Sequence, residues 1–202
     1  MGDNWAFHFI QIVSFNSVLM KLCFVTVGAT AAFRKLLEQV LTSKFTKTLT
    51  EHGYTHFLVQ YGKDGQDLYD KFVADEEAHN GLTIGGFDFQ PSIDSFLLQT
   101  VERKVYDRER GLIICHAGTG TILAGLRLGV PMIVVPNPDL ADNHQQELAD
   151  VLEEDKYVVS SSVENVGSAI RLAESQKAEV LSSRAKDENL TKNLSDEMGF
   201  LD

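Results

Sequence analysis

Short apolar runs alternate with stretches of helical periodicity along most of the chain. Leu22-Cys-Phe-Val-Thr-Val-Gly28 is an apolar run closed by glycine, the mark of a strand buried on both faces. Residues 33–52 repeat apolar positions at Leu36, Leu37, Val40 and Leu41, and Gly53 is a fitting helix stop. Further strands are predicted at 57–61, 82–87, 112–115, 132–135 and 157–160. Helices are predicted at 66–78, 93–106, 119–128, 142–154 and 163–178, with Gly129 and Pro131 ending the one at 119–128. Six short strands alternating with helices predict an α/β fold, one Rossmann-like domain with a doubly wound, mostly parallel sheet. No internal repeat interrupts this. The expected organisation is an N-terminal extension at 1–21, a domain at 22–178 and a polar tail at 179–202.

Composition narrows the function classes. The chain has 202 residues, 44% of them hydrophobic and 23% charged, enough for one sizeable core without staples. The formal net charge of -11 argues against a nucleic-acid partner, which wants a basic face. It also argues against adsorption on anionic lipid. Cys23 and Cys115 both lie in apolar runs, which predicts buried, reduced thiols rather than a disulfide. There is no CxxC and no cluster of metal-ligating residues, so neither a metal nor a cofactor is expected. Residues 5–20 are apolar, but His8, Gln11, Ser14, Asn16 and Ser17 interrupt them. The segment is too short and polar to span a bilayer, and it lacks the basic start of a secretory signal. It reads as a weakly ordered extension or an extra strand, with Met20 as an alternative start.

A doubly wound sheet binds its ligands beyond the carboxyl ends of the strands, where the strand order reverses. With the order 3-2-1-4-5-6, that crevice lies between the turn at Gly28-Ala29-Thr30 and the turn at His116-Ala-Gly118-Thr119-Gly120-Thr121. Gly118 and Gly120 allow close backbone approach. Thr119 and Thr121 open a helix whose N–H groups form an anion site, which suits a diphosphate in an acidic protein. An ordinary strand-to-helix turn with a threonine cap explains the same residues more blandly. His116 is either a satisfied structural imidazole or a hydrogen-bond donor to phosphate or sugar. Asp142, with Gln145 three positions on, makes a capping box. Capping leaves Asn143, His144 and Gln146 unexplained, a group of side chains suited to sugar hydroxyls. No GxGxxG follows Gly28, so a dinucleotide site has little support.

Taken together, His116-Ala-Gly-Thr-Gly-Thr121, Gly129-Val-Pro131 and Asp142-Asn-His-Gln145, with Phe24-Val-Thr-Val-Gly-Ala-Thr30 and Gly86-Phe-Asp-Phe89, resemble one family. It is the catalytic subunit of the two-part UDP-N-acetylglucosamine transferase of dolichol-linked oligosaccharide synthesis. The resemblance implies the donor-binding half of a GT-B glycosyltransferase. It implies inverting transfer of GlcNAc from UDP-GlcNAc to GlcNAc-diphosphate-dolichol, giving a β1,4 linkage. A membrane-anchored partner subunit would supply the acceptor-binding half and the general base. This chain would be cytoplasmic, without a span of its own, and recruited by that partner to the cytosolic face of the endoplasmic reticulum. Carried over by position, His116, Gly118, Thr119, Gly120 and Thr121 would hold the diphosphate and sugar side of the donor. Asn143, His144, Gln145 and Gln146 would contact sugar hydroxyls, and Gly28, Ala29 and Thr30 would face the acceptor diphosphate or the partner. Ala124 stands where related donor domains often carry an acidic residue for the ribose. The alternative function is a non-catalytic regulatory module that binds a nucleotide sugar.

Overall fold

The computed structural model describes residues 19–28, 33–139 and 144–176. Along its first strand, β1 (Leu22–Thr26), every side chain is buried, and successive residues face opposite layers. Leu22 and Phe24 enter one core cluster, and Cys23 and Val25 the other. That is the period-two division of a strand covered on both faces. The same holds for β2 (His56–Gln60), β3 (Thr83–Phe87), β4 (Leu112–His116) and β5 (Met132–Val135), and β6 (Val159–Ser160) closes the far edge. All pairings are parallel, in the order β3-β2-β1-β4-β5-β6.

The helices divide between the faces at the point of reversal. Helices α1 (Arg34–Val40), α2 (Ser43–Glu51) and α3 (Gln66–Ala74) cover the first face through Leu36, Leu37, Phe45, Leu49 and Phe72. Helices α4 (Asp94–Leu97), α5 (Thr119–Leu128) and α6 (His144–Glu154) cover the second through Phe96, Leu97, Ile122, Leu126 and Leu152. After β6 the chain returns to the first face as α7 (Val166–Ser175), burying Val166 and Ile170. The switch between β1 and β4 is therefore the expected one.

Two predicted helices take other forms. The stretch 33–52 breaks at Leu41, because Thr42 caps a new helix by accepting the Phe45 N–H on its hydroxyl. Residues 93–106 are not one helix. After α4 come a 3-10 turn, Leu98–Thr100, an extended Val101 and a hairpin in which the main chains of Arg103 and Arg108 pair. Thr100 is buried and donates its hydroxyl to the Leu97 carbonyl at 2.6 Å. Gly111 then passes so close to the Leu22 carbonyl that a Cβ would meet the oxygen at 2.2 Å. Helix α5 ends as predicted, with Gly129 left-handed at φ 64.

Met20, within the expected extension, is buried in the second cluster, and its main chain bonds Asp107 and Glu109. The expectations for residues 1–18 and for the tail at 179–202 lie outside the described residues. Among the described residues no helix is long and apolar enough to cross a membrane.

Candidate functional site

The carboxyl ends of β1 and β4 meet around His116. Strand β4 delivers this imidazole at its last residue, and the chain turns at once, with Gly118 N–H donating to the His116 carbonyl at 2.7 Å. The ring lies between the two glycine turns. A Cβ on Gly28 would come within 2.3 Å of the ring Cε1, and one on Gly118 within 2.3 Å of Nε2. Gly28 is also left-handed, at φ 79. Two of the predicted glycines thus make room for His116. Gly120 differs, since nothing lies within 4 Å of where its Cβ would be. It is the exposed glycine in the first turn of α5, with open space beside its backbone.

His116 Nδ1 is buried and reaches no hydrogen-bond partner among the described residues. Burial pushes the imidazole pKa below its ordinary value, against the opposing pull of the Thr26 main chain. The ring is therefore neutral near pH 7, with one nitrogen able to donate and the other to accept. A buried polar atom left unpaired costs stability, so its retention at a ligand crevice is informative. Behind it, the Thr26 hydroxyl donates to Gln60 Oε1, joining β1 to β2 in the core. Neighbouring Cys115 is inert: burial pushes its thiol up to about 12. Both cysteines are free and buried, as their apolar settings predict.

In the turn after β5, Gln145 reaches back to the preceding loop. Gln145 Oε1 accepts the Asn137 N–H at 2.9 Å, and Asn137 Oδ1 accepts the Asp139 N–H at 3.1 Å. Gln145 thereby holds the 136–139 loop, a role beyond the local capping box. Gln146 donates its amide to Asp150 at 2.7 Å on an exposed helical face. His144 is exposed, 3.7 Å from Glu147. Ala29, Thr30, Asp142 and Asn143 lie outside the described residues. Thr119 and Thr121 fall in the first turn of α5, as predicted. Ala124 packs against the second core cluster, so its position serves the core.

Two features had escaped sequence reasoning. Asn137 is a buried polar residue that organises the β5 loop. Lys35, in the first turn of α1, pairs with Asp139 at 2.5 Å and joins the β1 and β5 turns across the end of β4. Only the proximity of Lys35 to the β1 turn hinted at the second, and the partner lies far along the chain. No group of three His, Cys, Asp or Glu side chains among the described residues is arranged to hold a metal.

A parallel sheet of this order, reversing between β1 and β4, is a Rossmann-like domain that binds its ligands at the switch point. The family model for the glycosyltransferase family 28 C-terminal domain matches residues 22–198, and the chain belongs to this family. It is 34% identical over 180 residues to the UDP-N-acetylglucosamine transferase subunit ALG13 of Saccharomyces cerevisiae, covering 77% of this chain and 85% of that protein. The ALG13 subunit of Kluyveromyces lactis is 33% identical over 162 residues, covering 67% of this chain and 76% of that protein. Among solved structures, the solution structure of ALG13 aligns with a TM-score of 0.59 at 30% identity, covering 80% of this chain and 89% of that one. MurG of Acinetobacter baumannii aligns with a TM-score of 0.54 at 20% identity, over 79% of this chain but 44% of that one, and it supports the fold alone.

Proposed function

We propose that this chain is the donor-binding half of a UDP-GlcNAc transferase. It transfers GlcNAc with inversion from UDP-GlcNAc to GlcNAc-diphosphate-dolichol. The observation that carries the proposal is His116, half-buried and neutral, its buried Nδ1 without a partner among the described residues, beside the open first turn of α5. In transfer the acceptor hydroxyl attacks the anomeric carbon while the bond from that carbon to the diphosphate oxygen breaks. Negative charge grows on the departing UDP. First-turn N–H groups such as those of Gly120 and Thr121 lack intrahelical partners and suit that charge. A neutral imidazole adds a positioned donor. Gly118 and Thr119 set the turn, and Gln145, which holds the loop after β5 through its Oε1, reads the sugar from the start of α6. The acceptor proton leaves to a base on a membrane-anchored partner subunit, which also recruits this chain to the cytosolic face of the endoplasmic reticulum. The names of the relatives, each called a transferase subunit, support this reading.

The test is reconstitution with that partner in membranes carrying GlcNAc-diphosphate-lipid. The complex transfers GlcNAc, and the chain alone is essentially inactive, because a lone half cannot hold donor and acceptor together. Robust turnover by the pure chain contradicts the two-part reading. Donor binding without transfer by the complex identifies a regulatory module instead.

A further inference from the structure

A diphosphate is strongly anionic, and the chain that would hold it has a formal net charge of -11. A cation at the mouth of the crevice offsets that field. Among the described residues, Arg34, Lys35 and Lys63 follow the carboxyl ends of β1 and β2. Arg34 is committed elsewhere. Its guanidinium donates to both carboxylate oxygens of Asp67, at 2.8 and 2.5 Å, and to the Asp64 carbonyl at 2.9 Å. It thus turns toward α3. Lys63 stands beyond β2, with β1 between it and β4.

Lys35 takes the opposite course. Its ammonium meets a single carboxylate oxygen, Asp139 Oδ1, at 2.5 Å. Asp139 follows β5, and β4 lies between β1 and β5, so this bridge crosses the carboxyl end of β4. His116 is the last residue of that strand. Leu112 and Ile114 enter the first core cluster, and Ile113 and Cys115 the second, so by alternation His116 points into the first layer. Helix α1, which carries Lys35, packs in the same layer through Leu36, Leu37 and Val40. The bridge and the imidazole therefore share one side of the sheet at one strand end.

The bridge is also built to exchange. Its two side chains are 55% and 56% exposed, and an exposed pair of this kind adds little stability. A diphosphate offers an ammonium more charge and more acceptor oxygens than one solvated carboxylate does. The loop does not depend on the carboxylate either. Its bonds run from the Asn137 N–H to Gln145 and from the Asp139 N–H to Asn137.

We propose that Lys35 is a donor-binding residue whose ammonium leaves Asp139 for the diphosphate of the nucleotide sugar. Asp139 then acts as a built-in competitor for the ligand. This rests on the donor-binding reading of the His116 crevice and adds to it a residue outside the glycine turns. In the free protein the β1 and β5 sides are joined through Asp139; in the bound protein they are joined through the ligand.

The test is the affinity of the reconstituted complex for UDP and for uridine, measured by competition. Lys35→Gln weakens UDP on the order of tenfold. It leaves uridine, which has no phosphate, unchanged. Asp139→Asn acts in the reverse sense and tightens UDP about two- to fivefold, because nothing holds the ammonium back. Added to Lys35→Gln, the same Asp139→Asn change gains nothing, which separates a lost competitor from a general loss of negative charge. Arg34→Gln removes an equal charge one residue away and changes UDP affinity by about twofold at most. Both single variants of the bridge keep the wild-type melting profile.

A bridge that only ties the two turns together gives another pattern, in which Lys35→Gln and Asp139→Asn both weaken UDP, and that result overturns the proposal. So does unchanged UDP affinity in the folded Lys35→Gln complex, an equal loss in Arg34→Gln, or a gain from Asp139→Asn that persists without the ammonium. Each of these leaves the transfer reading in place. A wild-type complex that binds no UDP overturns that reading and this proposal with it.

Discussion

Two histidines stand at opposite ends of the sheet, and their surroundings differ in kind. At the amino end, His52 Nδ1 lies 2.7 Å from Glu174, which also takes the Lys21 ammonium at 2.6 Å. Lys21 further donates to the His52 carbonyl at 2.7 Å and lies 4.3 Å from the Tyr54 ring centre. Burial pushes the Glu174 carboxyl up, but the bonds from Lys21 and His52 outweigh it and hold it below its ordinary value. Each charge in this clamp has a partner, and the result pins α7 to the start of β1. At the carboxyl end, His116 is wedged between two glycine turns and its Nδ1 has no partner among the described residues. At the amino end the charges are closed off among themselves, although the buried Tyr54 hydroxyl beside them, like His116 Nδ1, has no hydrogen-bond partner among the described residues. At the crevice an unpaired group is kept, and stability is lower for it.

The largest expected separation between the two ends is catalytic. His116→Ala lowers transfer by the reconstituted complex about 100- to 1,000-fold, the loss typical of one preorganised donor, with its melting profile intact. His52→Ala leaves turnover per folded molecule unchanged. Equal losses of turnover in both variants would erase the distinction.

Next comes the packing of the wedge. Gly118→Ala places a Cβ 2.3 Å from the His116 ring, so the ring must shift. The expected destabilisation is about 1–3 kcal/mol, read by denaturant titration, with donor binding weakened as well. Gly120→Ala meets open space and keeps full stability, but it loses affinity for UDP-GlcNAc if that backbone faces the donor. A Gly118→Ala protein as stable as wild type shows that the ring is not held between the turns.

The amino-end clamp gives a smaller effect on stability alone. Glu174→Gln keeps the shape but removes the charge, and it costs roughly 1–2 kcal/mol, because its bonds to Lys21 and His52 are charge-assisted and only partly exposed. Donor affinity of the folded variant stays at the wild-type value. A change in affinity would mean that the two ends are coupled.

The smallest effect is in the pH dependence. Burial lowers the pKa of both His56 and His116 in the fold. Below the ordinary histidine value of about 6.5, the unfolded chain binds protons that these rings refuse. Stability from this source is complete above pH 6.5 and falls as the pH drops below it. His116→Gln removes one of the two contributions, so its stability declines less steeply between pH 6.5 and 5. An identical slope in the two proteins means that His116 titrates normally in the fold.

Much of this architecture is legible in the residues. The central strands β1, β4 and β5 are apolar runs buried on two faces, and α5 carries its own stop at Gly129, so their positions and the β1/β4 switch follow from local pattern. What escapes is set by contacts distant in sequence. Residues 93–106 have helical periodicity, but the chain must return to β4 past the Leu22 carbonyl, and the buried Thr100 hydroxyl ends the turn. At the site, glycines before and after His116 signal close approach without saying of what. The answer at Gly28 and Gly118 is the imidazole, and only at Gly120 is the space open. Lys35 and Asp139 meet through the fold, and nothing local to either residue announces the pair.

The central claim is that donor chemistry belongs to the carboxyl end. A titration of the isotope-labelled chain with UDP-GlcNAc, followed through backbone amide and histidine ring resonances, tests it most directly. The account predicts shifts at His116, Gly118, Gly120 and Thr121, with His52 and the residues around Glu174 unmoved. Saturating shifts centred on His52 and Glu174, with the His116 turn silent, would contradict it.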